Sequence, residues 1–551
     1  MNAPSTLIRQ RAVLPAAIAA FLVPVIIIEF PILQFTHGEF AYPIDDTCIH
    51  LTIAKNLALH GVWGTYSGQF ASAASSILYP LVLALLVKIV GAHLWLPFFV
   101  NFLAVLVLLV VLQKWLARQG LGPLAQIVVL FGVIFLTPLA PLAISGMEHV
   151  LQFLFTFLFI TRLAEDLEAL NLSAGKKWRL SPAVYLYGML MVSTRYEGMV
   201  VLGIGALLLL INKKIWTAML LFACGVIPVV IFGIYSVRHG NFFLPNSVLL
   251  KSGAPPLTFD GLYKFFTQGL FYKLFYSVVG YNTIATQRAL FLLLLSFPVF
   301  NIGLRDRPAY KYLLLLLTIA VFIHLSLTGY ARFPRYEAYL IGCVVTIAGM
   351  LSAKYGRAMF NRRKEESLNK GGQPLFMAGL TSWVMTLTIL FLGFPLVLRS
   401  NDAFDQVEEG SYSTYKVLYT AGDFLHRYYN NDAVALECLG AMSYFSDGKK
   451  MDVIGLGDID VARRLRENQY TINFLDSLSK IENIQIAAGT PISTPVALLQ
   501  RWTKVGTWYL SADEGGGYIS FYAVNPERAA ELKRNLVEYQ KYLPDGESAG
   551  Y

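Results

Sequence analysis

Charge is what this sequence has least of. Asp, Glu, Lys and Arg make up 14% of its 551 residues and hydrophobic types 56%, whereas a soluble domain carries about 25% charged residues. A single soluble globular domain is therefore excluded, and the apolar excess excludes a disordered chain. Cysteine is scarce as well: four in the whole chain rule out a disulfide framework. Cys224 and Cys343 sit in apolar runs, as small buried residues do. Cys48 and Cys438 fall in polar segments on one side of the membrane, where a bond between them is chemically open. The eight histidines are scattered, without H-E-x-x-H or zinc-type Cys/His spacing. There is no Walker loop, no complete G-x-G-x-x-G after a strand and no G-x-S-x-G, so the common soluble catalytic signatures are missing. The net charge of +9 lies mostly in short loops between apolar runs, where it records topology rather than a nucleic-acid surface.

What is present is a series of long uncharged stretches ending near Leu398, followed from Ser400 by ordinary charge density. That division predicts a polytopic α-helical membrane domain over 1–399 and a soluble domain over 400–551. The first apolar stretch, 12–35, follows Arg9 and Arg11 and lacks a small-residue cleavage site, so it reads as an uncleaved first span. Ten further spans are expected at about 93–113, 124–143, 147–163, 181–194, 198–212, 215–236, 287–304, 310–328, 336–353 and 375–398, about 11 in all. The run Ile77–Val90 has 14 residues and contains Pro80 and Lys88, which suits a re-entrant or juxtamembrane helix better than a span. With that run not crossing, Lys114/Arg118, Lys176/Lys177/Arg179, Lys213/Lys214, Arg305/Arg307/Lys311 and the cluster from Lys354 to Lys364 share the cytoplasmic side with the N-terminus. The opposite, extracytoplasmic side receives loop 36–92, loop 238–286 and the C-terminal domain. The expected location is a bacterial inner membrane.

Chemistry-bearing residues collect on that outer side. After Asp45 and Asp46, the residues Ile49, Ile53, Leu57 and Ala58 recur at helical spacing, which predicts an amphipathic helix on the membrane surface. An acidic pair at a helix start is commonly no more than a favourable placement against the helix dipole; the company on the same face singles this one out. Ser145-Gly146-Met147-Glu148 lies between two spans, and Thr194-Arg195-Tyr196-Glu197-Gly198 caps a tight turn. Arg238-His239-Gly240-Asn241 leads to Leu244-Pro245-Asn246-Ser247 and, by a short extended stretch, to Lys251. Arg332-Phe-Pro-Arg335-Tyr336-Glu337 caps another span. Ionisable residues at membrane depth are costly and commonly functional, although at a span end each one alone is as readily an interfacial anchor. His324 and Glu29, inside spans, read as satisfied or snorkelling residues.

The ordered set resembles the bacterial GT-C glycosyltransferases related to the mycobacterial arabinofuranosyltransferases. D-D-x-x-I-x-x-x-x-A-x-N-L-A from Asp45 looks like that family's first-loop motif; S-G-M-E is similar to its S-G-L-E, R-Y-E-G to its R-P-E-G, and L-P-N-S with Lys251 to its L-P-N-T…K. Val434 to Phe445, then Met451 to Leu456, resembles its tail pattern, so the likeness covers about 40–460. The family's Gly-Glu and Thr-Ser-Pro-Leu-Trp after the Asp helix are absent, and Tyr196 and Glu437 stand where Pro and Asp are usual. The resemblance implies a GT-C fold and inverting transfer of a sugar, a pentofuranose in the relatives, from a polyprenyl-phosphate donor to a cell-envelope glycan or glycolipid. It implies Asp45 as general base with Asp46 beside it, and Lys251, Arg195, Arg335 and Arg332 around the donor phosphate. Glu148, Glu197, His239, Asn246 and Tyr336 are the expected substrate contacts. Some relatives place a divalent cation, Mg or Mn, on the carboxylates; no ligand spacing here demands one. The chemistry is coherent, because a phosphate leaving group needs positive charge rather than a general acid, and one carboxylate then suffices as base.

In the tail, apolar strands at Ala433–Glu437, Met451–Ile454, Ile484–Ala488 and Tyr518–Val524 alternate with helices at Val461–Glu467 and Pro526–Tyr542. They predict a small α/β domain without a catalytic motif, suited to acceptor binding, to shielding the site or to a structural cap. A transporter or flippase for a lipid-linked or anionic solute is the alternative reading, since it would use the same charges; the spans show no paired inverted halves to favour it.

Overall fold

The computed structural model describes residues 3–172, 178–251, 263, 308–327, 333–369, 375–489, 501–509, 518–544 and 548–550. The membrane part is helical. In chain order its helices are α1 (Ala3–Phe35), α2 (Asp46–His60), α3 (Leu78–Val90), α4 (Leu96–Arg118), α5 (Pro123–Leu136), α6 (Leu139–Ile144) and α7 (His149–Leu172). They continue with α8 (Pro182–Thr194), α9 (Gly198–Ile211), α10 (Ile215–Arg238), α11 (Asn246–Lys251), α12 (Pro308–Leu327), α13 (Ala338–Asn369) and α14 (Leu375–Thr414). Among the described residues four stretches, 10–35, 96–118, 215–238 and 308–326, are long and apolar enough to cross a membrane, and shorter apolar helices include α3, α5 and α9. The expected span at 287–304 lies outside the described residues. The one expected at 124–143 is divided, because the chain bends at Pro138 between α5 and α6. α1 keeps Pro15, Pro24 and Pro31 inside one helix, as neighbouring helices in a membrane bundle permit.

Two elements differ from expectation in ways that matter for the site. α2 is not open along one face but enclosed by the rest of the protein: Thr47 to Ala54 and Asn56 are buried. Its polar residues find partners inside the protein, Thr47 donating to the Ser145 carbonyl at 2.6 Å and Asn56 to the Gly64 carbonyl at 2.9 Å. A helix with internal partners for its polar face can be enclosed without the desolvation cost that would otherwise hold that face in water. The second difference is at the expected boundary near Ser400, which is no linker. α14 runs through it as one helix to Thr414, then passes by a π-helical turn into α15 (Thr420–Tyr429).

The tail is an α/β domain. Its strands are β1 (Val434–Leu436), β2 (Lys450–Asp452), β3 (Ile486–Gly489), β4 (Thr503–Tyr509), β5 (Tyr518–Ala523) and β6 (Ser548–Gly550). They form one sheet in the order β2-β1-β3-β5-β4-β6, with β1 parallel to β2 and β3 and the remaining pairs antiparallel. Short α16 (Ala441–Phe445) follows β1, α17 (Ile459–Arg466) and α18 (Ile472–Ile481) follow β2, and α19 (Ala529–Tyr539) follows β5. Asp458 starts α17 by accepting from the Asp460 and Val461 amides, as a helix cap does. Phe424, Trp508, Phe521 and Tyr539 pack as one aromatic cluster with ring centres 4.5–5.4 Å apart. Cys48 and Cys438 are both free thiols, and the Cys48 sulfur lies against the Tyr419 hydroxyl.

Candidate active site

The two adjacent aspartates at the start of α2 serve different masters. Asp45 turns to the tail, accepting the backbone N–H of Gly440 at 2.7 Å and of Ala441 at 2.8 Å, where α16 begins. Only a glycine fits at 440, because a Cβ there would sit 2.1 Å from the Asp45 carbonyl oxygen. Further along α2, Lys55 donates to the Tyr444 carbonyl at 2.9 Å and pairs with Asp447 at 3.0 Å. The outer surface of α2 is thus clamped by the tail.

Asp46, one residue on, faces the other way. It borders a cavity of about 370 Å³ whose polar wall includes His50, Ser75, Arg195, Glu197, Ser247, His324, Arg335 and Tyr336. Asp46 accepts from the Arg335 guanidinium at 2.6 Å. Arg335 is 6% exposed, and its other two guanidinium nitrogens, Nε and Nη1, have no hydrogen-bond partner among the described residues. The loop that carries Arg335 is pinned from behind: fully buried Arg399 on α14 pairs with Glu337 at 2.8 Å and donates to the Pro334 carbonyl at 2.7 Å.

The second arginine is bound differently. Arg195 forks onto Glu197 with bonds of 2.7 and 3.1 Å and donates to Glu148 at 2.8 Å. Burial drives the Glu197 carboxyl upward, but the Arg195 charge outweighs it and holds the group below the usual carboxylate range. Both guanidinium carbons lie 5.1 Å from the Tyr336 ring centre, so one aromatic ring meets two like charges. The Ser-Gly-Met-Glu element reaches this place through Gly146, whose φ of +69° and close approach to Tyr42 and Thr47 leave no room for a side chain.

Several expected site residues therefore converge, with changed duties. Asp46, Arg335, Tyr336, Arg195 and Glu197 share one cavity, and Glu148 stands behind Arg195. Asp45 does not border the cavity, its carboxylate being held by the tail. Arg195 is engaged by its own carboxylates rather than open to a phosphate. His239 is exposed, stacks on Phe70 at 5.1 Å and donates to the Tyr235 carbonyl, away from the cavity. Asn246 is buried and donates to the Leu456 carbonyl of the tail at 3.2 Å, while the next two residues, Ser247 and Val248, line the cavity. Lys251 ends a helical turn, not an extended stretch, and its side chain lies outside the described residues, as does Arg332. Two histidines were not singled out as site residues: His50, one turn after Asp46, and His324 on α12, which borders the cavity. The i, i+4 spacing of Asp46 and His50 was the available signal for the first.

Among the described residues no three His, Cys, Asp or Glu side chains converge as a metal site. Asp46 is paired with Arg335 and Glu197 with Arg195, a donor set that does not fit a divalent cation.

Comparison with known proteins bears on the fold. A sequence family described as Domain of unknown function (DUF8728) matches residues 405–522, within the tail. Among curated proteins no sequence matches the chain. The crystal structure of ArnT from Cupriavidus metallidurans bound to undecaprenyl phosphate aligns with a TM-score of 0.50 at 12% identity, covering 91% of this chain and 97% of that one. The apo state of ArnT aligns with a TM-score of 0.46 at 12% identity over 91% and 98%. The chain has an ArnT-like fold, a mostly helical membrane part followed by a small sheet domain.

Proposed function

We propose that this chain is a membrane glycosyltransferase of the GT-C type, which moves a sugar, a pentofuranose by the sequence resemblance, from a polyprenyl-phosphate donor to a cell-envelope glycan or glycolipid on the extracytoplasmic face. The observation that carries this reading is the Asp46–Arg335 pair at a largely apolar cavity, its arginine buried and two guanidinium nitrogens without a partner among the described residues. Unpartnered donors on a buried cation call for an anion, and a phosphate monoanion would take a charge-assisted hydrogen bond from one of them. The ArnT-like fold supports it, since ArnT was crystallised with undecaprenyl phosphate.

The reading gives each group a task. Arg335 offers the donor phosphate one of its unpartnered N–H groups, on Nε or Nη1, while Nη2 keeps Asp46 in place. Asp46 takes the proton of the acceptor hydroxyl as the new bond from oxygen to the anomeric carbon forms. The bond from the anomeric carbon to the phosphate oxygen breaks, and polyprenyl phosphate leaves with the electron pair. Positive charge beside that oxygen counts for more as the bond breaks, so Arg335 assists the transition state beyond binding the ground state. Arg195, Glu148 and Glu197 form an ion-paired scaffold beside Tyr336, whose ring both cations share. The resemblance placed Asp45 as base; the geometry favours Asp46 in that role.

The test is binding of bare polyprenyl phosphate to the full-length protein in nanodiscs, together with sugar transfer. Arg335→Gln should weaken binding at least tenfold and slow transfer further. Unchanged binding would show that the phosphate is held elsewhere. A transporter would translocate the lipid-linked solute without transferring sugar, and the same preparation reads both.

A further inference from the structure

His50 has a hydrogen-bond arrangement that the mechanism above does not use. Its Nε2 lies 3.2 Å from the Ser75 hydroxyl oxygen, and that hydroxyl lies 3.0 Å from Oε1 of Glu148. A carboxylate only accepts, so the single Ser75 proton goes to Glu148, which leaves Ser75 to accept from His50. Nε2 must therefore carry a hydrogen. The other Glu148 oxygen, 3.6 Å from the same nitrogen, says the same, because a bare lone pair there would face a negative charge. Burial holds this imidazole below its ordinary pKa against the pull of Glu148 and Asp46. In the neutral ring the hydrogen on Nε2 leaves Nδ1 as a bare acceptor. That atom is buried and has no partner among the described residues, on a residue 2% exposed that borders the cavity one helical turn from Asp46. The Tyr79 ring meets the imidazole edge-on at 5.6 Å and limits its rotation.

We propose that Nδ1 of His50 accepts a hydrogen bond from a sugar hydroxyl bound in the cavity, making His50 a specificity-determining residue; this rests on the glycosyltransferase reading. Ser75 and Glu148 set which nitrogen is bare, so the acceptor is fixed before the ligand arrives. A ligand without a hydroxyl at that place leaves a buried acceptor unpaired, which is how hydrogen-bonding sites reject close analogues.

The experiment compares two substitutions in the full-length protein. Gln in place of His50 puts an amide near Nε2, retaining the bond to Ser75, but offers nothing at Nδ1; Asn puts an amide oxygen near Nδ1. The probes are bare polyprenyl phosphate, a panel of polyprenyl-phosphate pentofuranoses and hexopyranoses, and an octyl glycoside as acceptor. The wild type should bind at least one sugar-bearing donor more tightly than the bare lipid phosphate. His50→Gln should erase about three- to tenfold of that preference, the worth of one neutral hydrogen bond, while binding of the bare lipid is unchanged. His50→Asn should keep part of it. If the hydroxyl belongs to the acceptor, the donor preference survives in His50→Gln and the KM for the octyl glycoside rises instead. A His50→Gln protein that keeps both its donor preference and its acceptor KM overturns the proposal, as does a wild type that does not distinguish any sugar-bearing donor from bare lipid. Failure of the wild type to bind bare polyprenyl phosphate would strike at the glycosyltransferase reading itself and take the proposal with it.

Discussion

Exchanging each aspartate of the pair for asparagine separates chemistry from assembly within two adjacent residues. Asparagine keeps the size of the side chain and one accepting oxygen, and removes the charge and the basicity. At position 46 the bond to Arg335 survives in neutral form, so the cavity should hold its shape while the acceptor hydroxyl loses its base. Removing a general base costs about 10²–10⁴ in turnover. At position 45 the loss is different. Its carboxylate receives two backbone N–H groups at 2.7 and 2.8 Å, and asparagine can receive one of them. A hydrogen bond to a charged group is worth about 1.5–3 kcal/mol, so the docked state of the tail should weaken roughly ten- to a hundredfold. The assays are transfer from a synthetic polyprenyl-phosphate sugar and amide exchange across α16 in the same preparation. Asp46→Asn should show collapsed transfer with native exchange, and Asp45→Asn accelerated exchange with most of its transfer retained. If Asp45→Asn destroys transfer while α16 stays protected, the division of labour argued here is refuted.

Gly440→Ala should loosen the tail more than Asp45→Asn does, because its Cβ meets backbone 2.1 Å away rather than a mobile side chain; faster proteolysis of the tail is the readout. Arg399→Met removes the cation 2.8 Å from buried Glu337, and breaking a buried pair costs about 3–5 kcal/mol; thermal stability and phosphate binding should fall together, and adding Glu337→Gln should restore part of both. In the tail, burial pushes the Lys450 amine from 10.5 down to about 7, so between those pH values the unfolded chain holds the extra proton and stability rises with pH. Burial likewise raises the Asp452 carboxyl from 3.8 to about 6, so there the folded chain holds the proton and stability falls as pH climbs from about 4 to 6. Amide exchange of β1 and β2 should show both slopes, and Lys450→Met should abolish only the first.

The division into an apolar helical part and a charged tail was readable from composition, since a bilayer imposes its own residue usage over long stretches. The elements that carry Asp46, Glu148, Arg195, Glu197, Arg335 and Tyr336 were readable as motifs, and the fold brings them to one cavity. Which aspartate faces the cavity was not readable, because it depends on Gly440, nearly four hundred residues away in the chain, arriving at Asp45. His324 carries no local signal that separates a cavity histidine from a packed one, and for His50 the spacing from Asp46 is the whole of it. β4 was hidden because Gly506 and a register shift beside Lys504 interrupt its alternation, and the burial of α2 was hidden because its polar face looks solvated until its partners are known. The extended reading around Lys251 failed where Pro245, just before α11, acts as a helix starter rather than as a brake.

The unbroken run of α14 from Leu375 to Thr414 sets a rule for how this protein can vary. Arg399, in the second half of that helix, holds the loop of Arg335, and the tail that follows the same helix must bring Gly440 to Asp45. Along an α-helix each added residue advances the chain by about 1.5 Å and turns everything beyond it by about 100°. One inserted or deleted residue between Arg399 and Thr414 would therefore swing the tail away from α2, however mild the residue itself. Most inter-domain joints absorb length changes freely; here spacing carries phase, and lineages of this protein should tolerate substitutions in that stretch while keeping its length invariant.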